Sequence, residues 1–340
     1  MRLIVLAFLF LSGCANHQVY QQQRYIFGTL VEVSVYGKDK SEADAAINSV
    51  MRKFSEMHVA LHAWKPSEVT ELNEAFRGGK RKKIAPDLEK IVDDAAMLSD
   101  RSKGLFDPAI GNLIKLWGFQ NDEFKPVKPD PEEIRKLVQE HPEMDDIAIE
   151  NGTAYSKNPA VRLDFGGFAK GYALDVAARM LHEDGVKNAL INIGGNIMAL
   201  GSHGNRPWRV GIQNPRGPGA VAELELKDGE AIGTSGDYQR YFLLDGKRYC
   251  HIIDPRSGYP AQGVEAVTVL IPKGEHAGAL SDAASKPIFI SGVSGWREAA
   301  KEMGVQNALL IDSGGKVHIT KSFDERIHFE KKEPGLDVVD

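Results

Sequence analysis

Gly185-Val186-Lys187-Asn188-Ala189-Leu190 runs into Asn192-Ile193-Gly194-Gly195, and Gly304-Val305-Gln306-Asn307-Ala308-Leu309 runs into Asp312-Ser313-Gly314-Gly315. An amphipathic segment precedes each, residues 171–184 in the first and 296–303 in the second. A helix, a strand, a Gly-Gly turn and another strand are thus expected twice. Helix, glycine, strand is a common phrase, so chance is the alternative, but the shared Asn-Ala-Leu favours duplication. The expected fold is α+β, two related helix/strand halves with mainly antiparallel sheets.

Outward from these repeats, residues 27–36 carry Leu30, Val31, Val33 and Val35, a strand signal. Ala46, Val50, Phe54 and Met57 give helical spacing over residues 41–61, and residues 88–102 read as a second helix. A polar loop with two glycines lies at 77–83. Residues 121–143 are rich in proline and charge and read as an exposed insertion with a short helix at 131–139.

The whole chain has 340 residues, 42 Lys and Arg against 47 Asp and Glu, and a formal charge of −5. That balance speaks against a general nucleic-acid binder, and no nucleic-acid partner is expected. An apolar share of 42% with 26% charged residues excludes wholesale disorder. The two cysteines, Cys14 and Cys250, exclude a disulfide scaffold and a cysteine-based zinc cluster.

Cys14 has a reading of its own. Arg2 gives a positive start, residues 3–11 are apolar and too short to span a bilayer, and Leu11-Ser12-Gly13 precede the cysteine. This resembles a bacterial lipobox, with residues 1–13 as signal peptide and Cys14 lipidated; an ordinary signal peptide or a buried N-terminal strand are the alternatives. Ala15 does not resemble an inner-membrane retention signal, so the expectation is a bacterial cell-envelope protein, lipid-anchored, facing the periplasm from the outer membrane. Residues 14–24 are a polar tether, 25–330 a single domain and 331–340 a tail. Cys250, between Tyr249 and His251, reads as packed and is given no role.

Four segments carry candidate chemistry. Asp164-Phe165-Gly166-Gly167-Phe168-Ala169-Lys170-Gly171 opens a helix, where glycines allow close approach and free N–H groups and a lysine suit an anion; a tight strand-to-helix turn is the plain alternative. Gly233-Thr234-Ser235-Gly236-Asp237 is a small-residue loop. His251, at a strand end, could accept a proton with Asp254 orienting it, although Asp254-Pro255-Arg256-Ser257-Gly258 is also plain turn chemistry. Asp282 lies among small residues before Ser285, Lys286 and Pro287; a buried carboxylate there needs a partner or a metal.

Together the motifs resemble the FAD:protein FMN transferases, the ApbE family. They are Phe106-Asp107 to Gly111 with Leu116 to Phe119, Leu163 to Tyr172, Asn192 to Gly195, Trp208 to Pro215, Thr234 to Tyr238, and His251 to Pro255, in family order over nearly the whole mature chain. The resemblance implies an ApbE-like, T-fold-like architecture. It implies Mg²⁺-dependent transfer of FMN from FAD to a threonine of an acceptor flavoprotein, membrane-associated, with release of AMP. An FAD-holding lipoprotein and an FAD pyrophosphatase are the competing readings. Carried over by position, Phe27, Trp64, Leu105, Phe106, Asp107, Asp164, Lys170 and Ile253 would contact FAD. Gly167 and Asp282 would bind the metal, and His251 would be the base. One departure stands out: Lys286 sits where the family commonly has a metal-binding threonine, so that Ser285 beside it serves as ligand, or Lys286 replaces part of the metal's charge, or metal binding is weakened. A charged ammonium cannot ligate a metal.

Overall fold

The computed structural model describes residues 18–121, 123–330 and 335–339. The expected signal peptide and Cys14 lie outside them. From the N-terminus, β1 (Val19–Ile26) and β2 (Thr29–Tyr36) form a hairpin, followed by α1 (Lys40–Ala60), α2 (Glu68–Arg77), β3 (Lys82–Lys83), α3 (Pro86–Arg101), α4 (Gly111–Leu116) and α5 (Pro131–Gln139). Next come β4 (Ile147–Glu150), β5 (Thr153–Ser156), α6 (Ala169–Glu183), β6 (Asn188–Ile193), β7 (Asn196–Leu200), β8 (Trp208–Gln213), β9 (Ala220–Leu226) and β10 (Ala231–Gly236). Then β11 (Tyr241–Leu244), β12 (Lys247–Cys250), β13 (Ile253–Asp254), β14 (Tyr259–Pro260) and β15 (Val264–Ile271) lead to α7 (Ala277–Glu302). Finally β16 (Asn307–Asp312), β17 (Val317–Thr320), α8 (Lys321–Asp324), β18 (Ile327–Phe329) and β19 (Asp337–Val339) follow.

Among the described residues the main sheet has nine strands, ordered β1-β2-β6-β7-β10-β15-β16-β17-β19. Neighbours are antiparallel except β17 and β19. The duplicated phrase is visible as α6-β6-β7 and α7-β16-β17, each strand pair turning at a Gly-Gly step whose glycines are Gly194-Gly195 and Gly314-Gly315. Period-two alternation sorts the strands between two cores. Val267, Val269 and Ile271 of β15 face a core shared with α1, α3, α6 and α7. Ala266 and Leu270 face a second core, roofed by the three-stranded sheet β18-β9-β8 through Trp208, Val210, Ile212 and Leu224. Every residue of β15 is buried, as a strand covered on both faces requires.

A third, smaller core gathers Ile110, Leu113, Trp117, Phe119, Ile134, Phe242 and Ile253 from α4 and the residues flanking it, α5, β11 and β13. The insertion expected at residues 121–143 supplies its Ile134, and α5 has the bounds read from the sequence, with Asp130 capping it and Pro131 at its first position.

Two expectations are corrected. Residues 19–24, taken as tether, form most of β1, whose Gln21, Gln22 and Gln23 sit on a sheet edge with a largely solvated face; a half-exposed edge strand needs few apolar residues. In the tail, Asp337–Val339 adds a parallel strand to β17, latched by His318, which lies between Asp312 (3.0 Å) and Asp337 (3.1 Å).

Candidate functional site

The site is built where α6 meets α7. The two helices approach so closely that a Cβ on Gly171 would lie 2.2 Å from the Gly278 carbonyl oxygen, and one on Gly278 would lie 2.4 Å from that of Gly171. Each helix then caps the other. Asp175 of α6 accepts from the N–H groups of Gly278 (2.7 Å) and Ala279 (2.8 Å), and Asp282 of α7 accepts from the N–H of Gly171 (2.9 Å). These are N–H groups that the first turns of the helices leave without partners of their own. Burial pushes the Asp175 carboxyl up to about 7 against the pull of those two N–H groups.

Beside this crossing opens a cleft with an empty volume of about 700 Å³, part of it open to solvent. Its lining is partly apolar, with Leu105, Ile110, Ile114, Phe119 and Ile253, and partly polar, with Asp107, Asp164, Gly166, Gly167, Arg240, His251 and Lys286. The Asp164 carboxylate is fixed by the Trp64 indole N–H (2.9 Å) and the Gly166 N–H (2.8 Å). Trp64 also lies under the Arg162 guanidinium, 4.6 Å from the ring centre. Phe27 does not line the cleft. It occupies a two-residue turn with Gly28, both at positive φ (56° and 72°), an uncommon setting for a bulky side chain. From there its ring meets His58, whose ring meets His62, and His62 Nδ1 accepts the Trp64 N–H at 3.1 Å.

Asp282 is 1% exposed and surrounded by cations. Its Oδ1 accepts from the Lys286 ammonium, which also donates to the Asp282 backbone carbonyl at 2.7 Å, and Lys170 Nζ lies 3.9 Å from Oδ2. Burial, the largest influence, pushes the Asp282 carboxyl up, but Lys170, Lys286 and the Gly171 N–H together hold it below the ordinary carboxylate value. Burial draws Lys286 down, opposed by Asp282. Ser285 is tied elsewhere, donating to the Asp282 carbonyl (2.7 Å) and meeting the Ser235 hydroxyl (2.6 Å).

This donor set does not fit a divalent metal. Mg²⁺ needs open oxygen ligands. Here both Asp282 oxygens are engaged, the Ser285 hydroxyl has two partners, and two ammonium groups face the one carboxylate. Among the described residues no three His, Cys, Asp or Glu side chains gather in a group that could hold a metal.

His251 is half-buried in the cleft wall. Burial first, then the charges of Arg240, Lys170 and Lys286, hold its imidazole well below the usual histidine value, so it is neutral at pH 7. Its Nδ1 lies 3.3 Å from the Arg240 carbonyl oxygen. The expectation that Asp254 orients it is not met. The Asp254 carboxylate closes on the Arg256 guanidinium (2.9 and 2.8 Å) and the Arg256 N–H (3.0 Å), a contact within one turn. Asp107 accepts from the Ala109 N–H (2.8 Å), and burial pushes its carboxyl up to about 7. The sequence reading missed Arg240, which lines the cleft and donates to the Phe119 carbonyl at 2.8 Å; a lone arginine after a strand carries no signal. Cys250 is buried, and burial pushes its thiol up to about 12.

Apolar lining residues next to a cluster in which two ammonium groups face one buried carboxylate suit a ring joined to phosphates. A model of the ApbE family matches residues 27–310, and the chain belongs to that family. The FAD:protein FMN transferase of Rhodobacter capsulatus is 41% identical over 303 residues, covering 89% of this chain and 57% of that one, so this chain spans little more than half of that relative. The proteins of that name from Treponema pallidum (28% identical, 93% of this chain and 91% of that one) and Haemophilus influenzae (30%, 92% and 88%) match over nearly their whole lengths. Among solved structures, the ApbE protein of Thermotoga maritima superposes with a TM-score of 0.83 at 29% identity, over 93% of this chain and 100% of that one. The flavin transferase ApbE from Vibrio cholerae does so with a TM-score of 0.78 at 26% identity, over 91% and 99%.

Proposed function

We propose that the protein is an FAD:protein FMN transferase that carries FMN from FAD to a threonine of an acceptor flavoprotein. The observation that carries the reading is the cleft: apolar lining residues for the isoalloxazine, and next to them Lys170 and Lys286 in excess over one buried carboxylate, for the bridging phosphates. In the transfer, the threonine Oγ bonds to the FMN phosphorus, the bond from that phosphorus to the bridging oxygen breaks, and AMP leaves with the electron pair. His251, held neutral, accepts the hydroxyl proton. Lys170 and Lys286 balance charge on the phosphates, and the Trp64 and Gly166 N–H groups hold Asp164 at the cleft's edge. The resemblance also implies Mg²⁺, but the residues present do not fit it, and none of these roles depends on it.

The N-terminal reading extends the proposal to place. Lipidation at Cys14 would anchor the enzyme to the outer membrane on its periplasmic side, where a membrane-associated acceptor would be in reach. The test is incubation with FAD and a threonine-bearing acceptor, followed by the acceptor's intact mass. The expected result is one FMN unit on the acceptor for each AMP released. Free FMN beside an unmodified acceptor would refute transfer and favour hydrolysis.

A further inference from the structure

We infer that the Lys286 ammonium stands where a divalent metal would, and that with Lys170 it receives the phosphates of the dinucleotide without a metal. This rests on reading the cleft as a flavin-dinucleotide site.

Three observations carry the inference. First, Lys286 is fixed. It bonds to two oxygens of one residue, the Asp282 carbonyl at 2.7 Å and Oδ1, and its side chain is 14% exposed. A lysine whose head reached solvent would have left Asp282 open to a metal. Second, Lys286 lines the cleft between Gly167 and His251, and its Cε lies 3.4 Å from where a Cβ on Gly167 would be. An ammonium has three donors; Asp282 takes two, leaving one for a cleft ligand. Third, the local charge is positive before any metal is added. In the immediate cluster, Asp282 contributes one negative charge against the two positive charges of Lys170 and Lys286, while on the cleft wall Arg240 is set against Asp164 and Asp107. A further cation would meet like charge, whereas a pyrophosphate would meet its complement and favour the protonated lysine.

The purified full-length protein is stripped with EDTA. Its affinity for FAD and for riboflavin is then measured by flavin fluorescence, in EDTA and in excess Mg²⁺, and Mg²⁺ binding is measured by calorimetry. The FAD dissociation constant is expected to agree between the two buffers within about threefold, with no saturable Mg²⁺ uptake. Lys286→Met is expected to weaken FAD by about tenfold or more, the worth of a charged hydrogen bond, and to leave riboflavin within about twofold. A tenfold or greater tightening of FAD binding by Mg²⁺ (roughly the worth of a phosphate-bridging cation), or wild-type FAD affinity in Lys286→Met, would overturn the inference. The comparison of buffers uses the unmodified chain, so it decides the matter even if Lys286→Met does not fold. Binding of neither FAD nor riboflavin in either buffer would overturn the flavin reading of the cleft. Mg²⁺-dependent FAD binding would leave that reading standing and sink only the metal-free site.

Discussion

Gly171→Ala tests the joint on which the site is built. The added Cβ would lie 2.2 Å from the Gly278 carbonyl oxygen and 2.6 Å from the Asp282 Cβ. Both neighbours are held by their own helix, so α6 and α7 must separate. Overpacking of this kind costs about 1–3 kcal/mol. The Gly171 N–H would also draw away from Asp282, losing a hydrogen bond to a charged group worth about 1.5–3 kcal/mol. Alanine's better helix propensity offsets about 1 kcal/mol. The net loss is roughly 1.5–5 kcal/mol, which at a urea dependence of about 3 kcal/mol per M lowers the midpoint by roughly 0.5–1.7 M. Gly274→Ala is the control: its Cβ would meet only the Pro272 carbonyl oxygen, at 3.9 Å, and its midpoint should hold. Urea titrations followed by circular dichroism give both values. A Gly171→Ala midpoint equal to wild type would refute the close crossing, and with it the mutual capping of α6 and α7.

Other outcomes are expected. His251→Ala should slow acceptor modification by about 10²–10⁴ while FAD stays bound, and transfer at the wild-type rate would remove His251 as proton acceptor. Asp107 takes up its proton near pH 7 when folded and near the ordinary aspartate value of 3.8 when unfolded, so the folded state holds more protons between these values and stability falls as pH rises through them. The loss is at most roughly 4 kcal/mol; Asp107→Asn should flatten part of this slope in urea titrations from pH 4 to 8, Asp175 contributing the rest, and an unchanged slope would count against a protonated Asp107. Cys14→Ser should release the protein from washed membranes with its transferase activity intact, and retention would count against the lipid anchor. Lys170→Ala should weaken FAD more than riboflavin, and equal weakening of the two would make the lysine structural.

The repeat was legible because it is local: each helix, strand and glycine turn lies within about thirty contiguous residues. Strand β1 was not, because Gln21, Gln22 and Gln23 on an edge look the same in sequence as a solvated tether. In the site, sequence identified the residue types and missed their partners. Asp254 is three residues from His251 yet bonds to Arg256, since the turn brings its carboxylate onto the nearer guanidinium. Lys286 announced a departure, but only the helix geometry, four residues from Asp282, places its ammonium on that carboxylate. Asp175 gave no signal, because its role is to cap a helix a hundred residues downstream.

Part of the cleft's apolar lining belongs to the small third core, where Trp117 packs against Tyr249 and Phe242 and donates to the Gly258 carbonyl at 2.8 Å. Ile110, Phe119 and Ile253 belong to that core, while Lys286 and Asp282 stand on α7, which packs on the main sheet. The cleft thus draws on two cores, and the smaller is expected to open first. Amides of α4 and α5 are expected to exchange with solvent through a partial opening that leaves the nine-stranded sheet intact, at a free energy below that of global unfolding. A ligand bridging the two ties them together, so flavin dinucleotide should protect the small core from exchange more than it raises the protection of β15.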